Sequence, residues 1–129
     1  MKEKEVKKIL IDYAKKASNN AYAPYSKFKV GCALLGKNGK IYTGVNVENA
    51  SFGLTVCAER NAVGQAISDG CKEFSHLVCF EKRTGIIPPC GACRQVLSEF
   101  SPEMKILIPK NGKNTFIKLS KLLPETFVL

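Results

Sequence analysis

Histidine occurs once in these 129 residues, as His76, and arginine only as Arg60, Arg83 and Arg94. His76 opens an apolar run that reads as a strand, so a structural zinc ribbon finds no fourth ligand beside the later cysteines. The shortage of guanidinium groups weighs against nucleic acid. A formal charge of +9 would suit such a partner, but the lysines are scattered along the chain, and arginine is the better shaped residue for base and phosphate recognition. A solvated basic surface accounts for the charge, and no nucleic-acid partner is expected. Apolar runs long enough to cross a bilayer are also lacking, so no membrane partner is expected. The chain opens Met-Lys-Glu-Lys-Glu without an apolar signal segment, which points to a reducing cytoplasm and against a disulfide framework built from its six cysteines. The length and a 45% hydrophobic content suit one domain spanning 1–129.

What is present centres on Cys57-Ala58-Glu59 and Pro89-Cys90-Gly91-Ala92-Cys93. Three cysteines suit a Zn²⁺ site that keeps its fourth position open, as a catalytic zinc does, with Glu59 as proton carrier. Residues i and i+2 of a helix point roughly 200° apart, so Cys57 and Glu59 converge only over a helix end. Cys90 and Cys93, at i and i+3, share one face at the start of a second helix. Two helix N-termini are therefore expected to meet at one ion. Three thiolates would overload that ion with negative charge. The free N–H groups of the helix ends, together with Arg60, are expected to hydrogen-bond the sulfurs and offset it. A C-x-x-C alone also serves thioredoxin-like and ribbon sites. Cys32, Cys71 and Cys79 fall in or beside apolar stretches and read as small core or near-surface residues, with an exposed Cys71 after Gly70 as the alternative.

Along the chain, Val6, Ile9, Leu10, Tyr13, Ala14 and Ala17 recur at helical spacing over 3–18. Ala21 to Ser26 is a loop, since Pro24 forbids helix, and its tyrosines Tyr22 and Tyr25 either wall a binding site or cover the core. From Phe28 the period becomes two, with apolar residues on both faces, predicting a buried strand. Gly36-Lys37-Asn38-Gly39 turns it into a hairpin partner over 41–45. Asn46 and Glu48, two apart on an extended segment, offer an amide and a carboxylate to hydroxyls such as those of a sugar; a polar Asx-turn loop is the alternative that spacing leaves open. The Cys57 helix ends at Gly70, a strand covers 75–81, and 83–89 is a proline-stiffened loop into the second helix. Strands over 105–108 and 115–119 flank Asn111-Gly112, a turn too short for a helix, so they should pair antiparallel. Apolar residues at the C-terminal end want a partner surface.

Taken together, Ala21-Tyr22-Ala23-Pro24-Tyr25-Ser26-Lys27-Phe28, Asn46-Val47-Glu48-Asn49-Ala50, Cys57-Ala58-Glu59-Arg60, Pro89-Cys90-Gly91-Ala92-Cys93-Arg94-Gln95-Val96 and Leu122-Leu123-Pro124 resemble the signatures of the small homotetrameric cytidine deaminases that act on free nucleosides. The resemblance implies a three-layer α/β/α sandwich with a mixed five-stranded sheet. It assigns one Zn²⁺ per subunit to Cys57, Cys90 and Cys93. Zinc-bound hydroxide would attack C4 of cytosine while Glu59 moves a proton to N3 and helps expel ammonia, turning cytidine and deoxycytidine into uridine and deoxyuridine in pyrimidine salvage. Phe28 would line the base pocket, the Asn46-Val47-Glu48 segment would hold the ribose, and the Ala58 backbone would meet the base edge. Neighbouring subunits would complete each site through Phe52, Phe127 and Tyr25. Many relatives carry tyrosine where this chain has Phe52. Relatives that act on tRNA or single-stranded DNA place a helix between the last two strands, and blasticidin-type deaminases match less well at Asn46 to Asn49. A zinc-stabilised binding module without catalysis would have no use for Glu59.

Overall fold

The computed structural model describes residues 1–129. Helix α1 (Glu3–Ser18) turns Val6, Leu10 and Ala14 inward and leaves its lysines in water, as the 3.6-residue period requires. It lies on one face of a sheet built from β1 (Val30–Gly36), β2 (Ile41–Val45), β3 (Phe74–Glu81), β5 (Lys105–Lys110) and β6 (Lys113–Lys118), in the order β2-β1-β3-β5-β6. Between β3 and β5 the pairing is parallel; β1 with β2, β1 with β3 and β5 with β6 pair antiparallel. Helices α2 (Ala58–Ser68) and α3 (Gly91–Phe100) cover the other face, and a short α4 (Leu119–Leu122) follows the last strand.

Strand β1 shows how its sequence serves both faces. Val30, Cys32 and Leu34 join Ala58, Ala62 and Leu97 in the core on the α2 side, whereas Ala33 joins Leu10 and Ala14 under α1. Alternation with apolar residues on both sides therefore yields a central strand in a three-layer α/β/α sandwich. The pairing of β5 with β6 follows from the Asn111-Gly112 turn, in which both residues adopt positive φ.

Two expectations need correction. The sheet has six strands, because Gly85–Ile86 forms β4 against Phe80 and Glu81 where an irregular loop was expected. Glu81 makes this turn possible: it is buried, and its Oε1 accepts from the Arg83 and Thr84 N–H groups and from the Thr84 hydroxyl, while Gly85 takes φ +86. Cys71 takes the core place expected of it rather than the exposed alternative, since the chain folds back after Gly70 with the Cys71 N–H on the Ala66 carbonyl. The strand expected from Phe28 begins instead at Val30, with Phe28 ahead of it on the segment that follows Lys27 at φ +62.

Candidate active site

Cys57 is the N-cap of α2 and Cys90 the N-cap of α3, and neither thiol caps its own helix. Both sulfurs are thus left to face what lies between the two helix ends. Cys93, one turn into α3 and buried, completes a group whose three Sγ atoms lie within 4.8 Å of one another. All six cysteines are free. The proximity has an electrostatic cost. Burial first, then Cys93 and Glu59 among its neighbours, set the Cys57 thiol, with the net effect upward. Burial, followed by the charges of Glu59 and Cys57, pushes the Cys93 thiol far up. At Cys90 burial again opposes ionisation, but the N–H groups of Cys93 and Ala92 at the helix N-terminus outweigh it and bring the thiol down. A cation reverses this balance, because three thiolates that repel one another become ligands once a divalent ion sits between them. By donor type and separation, the set fits Zn²⁺.

Glu59 is only 6% exposed. Burial raises its carboxyl pKa, opposed by its own backbone N–H, by the thiols of Cys93 and Cys79 and by the charge of Arg60. Arg60 itself is exposed, and what reaches the site from it is charge. Glu59, Cys57 and Cys90 share a cavity of about 320 Å³ with Phe28, Val30, Asn46, Thr55, Ala58, Ile87 and Pro88. One wall is therefore acidic and thiol-bearing, and the rest is largely apolar. The Ile87 N–H bonds the Cys79 carbonyl at 3.1 Å, which pins the proline-rich wall to β3.

Asn46 is buried at the end of β2. Its Oδ1 accepts from the Val30 N–H at 2.9 Å and its Nδ2 donates to the Phe28 carbonyl at 2.8 Å, so the amide clamps the entry to β1 while facing the cavity. Asn61 of α2 donates to the Val45 carbonyl at 2.7 Å and ties the same segment to the helix that bears Glu59. Glu48 is not among the cavity-lining residues; it is held by the turn at Tyr25 and Ser26. Val47 bridges Tyr22 and Val56 by backbone pairing and faces a separate cleft with Asn61 and Gln65. Phe52 and Phe127 are exposed at 75% and 71% and stand apart from the cavity of their own chain, Phe52 in a T-shaped ring contact with Tyr25. His76 lies with Glu3, Ser75 and Phe116, away from the thiol group.

Sequence reasoning missed Thr55, Ile87 and Pro88 as wall residues, since no periodicity marks a loop residue as lining. It also missed Arg94, which donates to the carbonyls of Pro89 at 2.9 Å and Leu122 at 3.0 Å and so braces the approach to Cys90 against α4. Its place directly after the second C-x-x-C cysteine was the available signal.

Residues 4–108 match the family model of the cytidine and deoxycytidylate deaminase zinc-binding region. The chain belongs to this deaminase family. The cytidine deaminase of Sporosarcina psychrophila is 43% identical over 125 residues, covering 95% of this chain and 91% of that one. The crystal structure of the cytidine deaminase from Burkholderia pseudomallei superposes with a TM-score of 0.85 at 42% identity, covering 98% and 100% of the two chains. That of the cytidine deaminase from Mycobacterium tuberculosis gives 0.84 at 40% identity, covering 95% and 97%. The sandwich described above is thus the fold of solved cytidine deaminases.

Proposed function

We propose that residues 1–129 form one catalytic unit that hydrolyses cytidine and deoxycytidine to uridine and deoxyuridine, consuming one water and releasing one ammonia. The observation that carries this reading is a buried carboxylate, Glu59, set beside the Cys57 and Cys90 thiols in a cavity otherwise walled mainly by apolar groups. Cys57, Cys90 and Cys93 would hold one Zn²⁺ per chain, which when bound supplies the Lewis acidity that makes water nucleophilic at neutral pH. Glu59 accepts the proton given up by the attacking water and passes it to ring N3. It then takes the second proton from the new C4 hydroxyl and gives it to the departing exocyclic amine, which leaves as ammonia as the C4 carbonyl forms. Its burial favours the protonated form, which suits a group that must both take and give a proton. Phe28, Val30, Ile87 and Pro88 hold the ring and keep bulk water off it. The Ala58 backbone meets the base edge, and Arg60 tempers the charge of the sulfurs. Asn46 and Glu48 take the sugar, through a 3′-hydroxyl that both nucleosides possess.

The exposed apolar side chains of Tyr25, Phe52, Leu54, Phe127, Val128 and Leu129 support a homotetramer whose neighbouring subunits complete each site through Phe52 and Phe127. Free thiols support a reducing cytoplasmic setting, and the reaction suits nucleoside salvage. No helix is long and apolar enough to cross a membrane. The test combines metal analysis with the ultraviolet change that accompanies deamination of cytidine. The reading requires about one zinc per chain and stoichiometric ammonia; zinc-free protein, or zinc-loaded protein inert on both nucleosides, contradicts it. Sedimentation giving a stable monomer contradicts the tetramer alone.

A further inference from the structure

The Ser26 hydroxyl sits between the Phe28 backbone and the Glu48 carboxylate. It accepts a hydrogen bond from the Phe28 N–H at 3.0 Å and donates to Glu48 Oε2. A serine hydroxyl has a single proton, so accepting from Phe28 directs that proton toward Glu48. Glu48 Oε1 meanwhile accepts from the N–H groups of Tyr25 at 3.0 Å and Ser26 at 3.2 Å. A carboxylate offers about four lone-pair positions. The turn fills both on Oε1 and one on Oε2, leaving a single acceptor position. Lys27 takes the left-handed conformation at φ +62, and its N–H bonds the Ala23 carbonyl at 3.0 Å, which closes this turn on itself. Phe28, whose N–H the serine holds, lines the cavity, and so does Asn46, two residues before Glu48.

We infer that Ser26 is a positioning residue that aims the one free acceptor of Glu48 at a sugar hydroxyl while fixing Phe28 against the base. The inference rests on the nucleoside reading above and deepens it. Glu48 keeps its charge in this setting: the Ser26 hydroxyl first, with burial opposing, and then the two N–H groups hold its carboxyl below the usual range. An ionised carboxylate only accepts, so the group it selects must be a donor, which an O–H at the 3′ position is. The same hydroxyl that orients the sugar contact is bonded to the residue that walls the base, so one small side chain sets the distance between the two halves of the ligand. Ser26 touches neither half itself.

The test compares Ser26→Ala with the unaltered protein on 2′-deoxycytidine and on 2′,3′-dideoxycytidine, which differ only in the 3′-hydroxyl at issue. KM for deoxycytidine is expected to rise about tenfold with kcat changed less than about threefold, while KM for dideoxycytidine, which loses only the support of Phe28, rises less than about threefold. Ser26→Thr, which keeps the hydroxyl, restores most of the loss. Because both nucleosides are measured on the same preparation, the ratio of their kcat/KM values does not depend on how much of the variant is folded. In a Glu48→Ala background, Ser26→Ala adds no further discrimination between the two nucleosides. Equal effects on both nucleosides, or none on either, overturn the role of Ser26 and leave the deaminase reading standing. An unaltered, zinc-loaded protein inert on both nucleosides overturns the two together.

Discussion

Gly44 in β2 lies flat against Ala58 at the first turn of α2, so that a Cβ on Gly44 would stand 2.3 Å from the Ala58 carbonyl oxygen. Ala58 lines the cavity between Cys57 and Glu59, so this contact sets the depth at which the helix end presents both. Backbone cannot retreat as a side chain tip can. Gly44→Ala is expected to cost about 1–3 kcal/mol in urea unfolding and to lower kcat by shifting the helix end. Unchanged stability and turnover would show that α2 tolerates the displacement.

Asn46 predicts a mixed effect. Both ends of its amide are committed to backbone, on Val30 and Phe28, in a buried position. Asn46→Ala leaves a buried N–H and C=O without partners and is expected to cost about 2–4 kcal/mol as well as raising KM. Asn46→Asp keeps the acceptor for Val30 but sets a charge against the Phe28 carbonyl, and is expected to be no better. Denaturation curves and cytidine kinetics on both variants decide this.

A pH dependence follows from the Tyr42 hydroxyl, which donates to Asp69 Oδ2 at 2.6 Å and ties β2 to the end of α2, with Lys40 Nζ on the same oxygen at 3.2 Å. The Tyr42 bond first, then Lys40, lowers the Asp69 carboxyl from its ordinary value. The contribution is therefore present above the unfolded-state value near 4 and is lost as pH falls through the lower folded-state value. The Asp69 bond raises the Tyr42 hydroxyl, so its contribution is complete below about pH 10 and is lost as pH rises through the folded-state value. Tyr42→Phe is expected to lower stability at neutral pH and to flatten both limbs of a plot of unfolding free energy against pH. A variant whose acid and alkaline limbs match those of the unaltered protein contradicts this.

Metal removal bears on stability as well as turnover. Cys57 and Cys90 stand at the N-caps of two different helices, so an ion joining them also joins α2 to α3. Chelation is expected to lower the unfolding temperature by several degrees and to abolish turnover, with both restored by one equivalent of Zn²⁺. Cys93→Ala, which removes the buried thiol of the group, is expected to behave as the chelated protein does even with zinc present.

The layers of this fold were legible because β1 alternates apolar residues on both faces and α1 keeps its period, and Asn111-Gly112 dictated the antiparallel final pair. Strand β4 was not, since two residues carry no period and the turn depends on where the buried Glu81 carboxylate points. The thiols were legible from spacing on two helix starts. The use of Glu48 by the Tyr25–Ser26 turn was not, because it joins residues more than twenty positions apart through backbone N–H groups that every sequence supplies.

The central claim is that Glu59 moves protons beside a thiolate-bound zinc, and Glu59→Gln tests it most directly. The variant keeps the size of the side chain and removes its basicity. Zinc content and cytidine turnover are measured on one preparation. About one zinc per chain with turnover reduced at least roughly a hundredfold is the predicted result; a zinc-loaded variant that deaminates cytidine at near the unaltered rate contradicts the account.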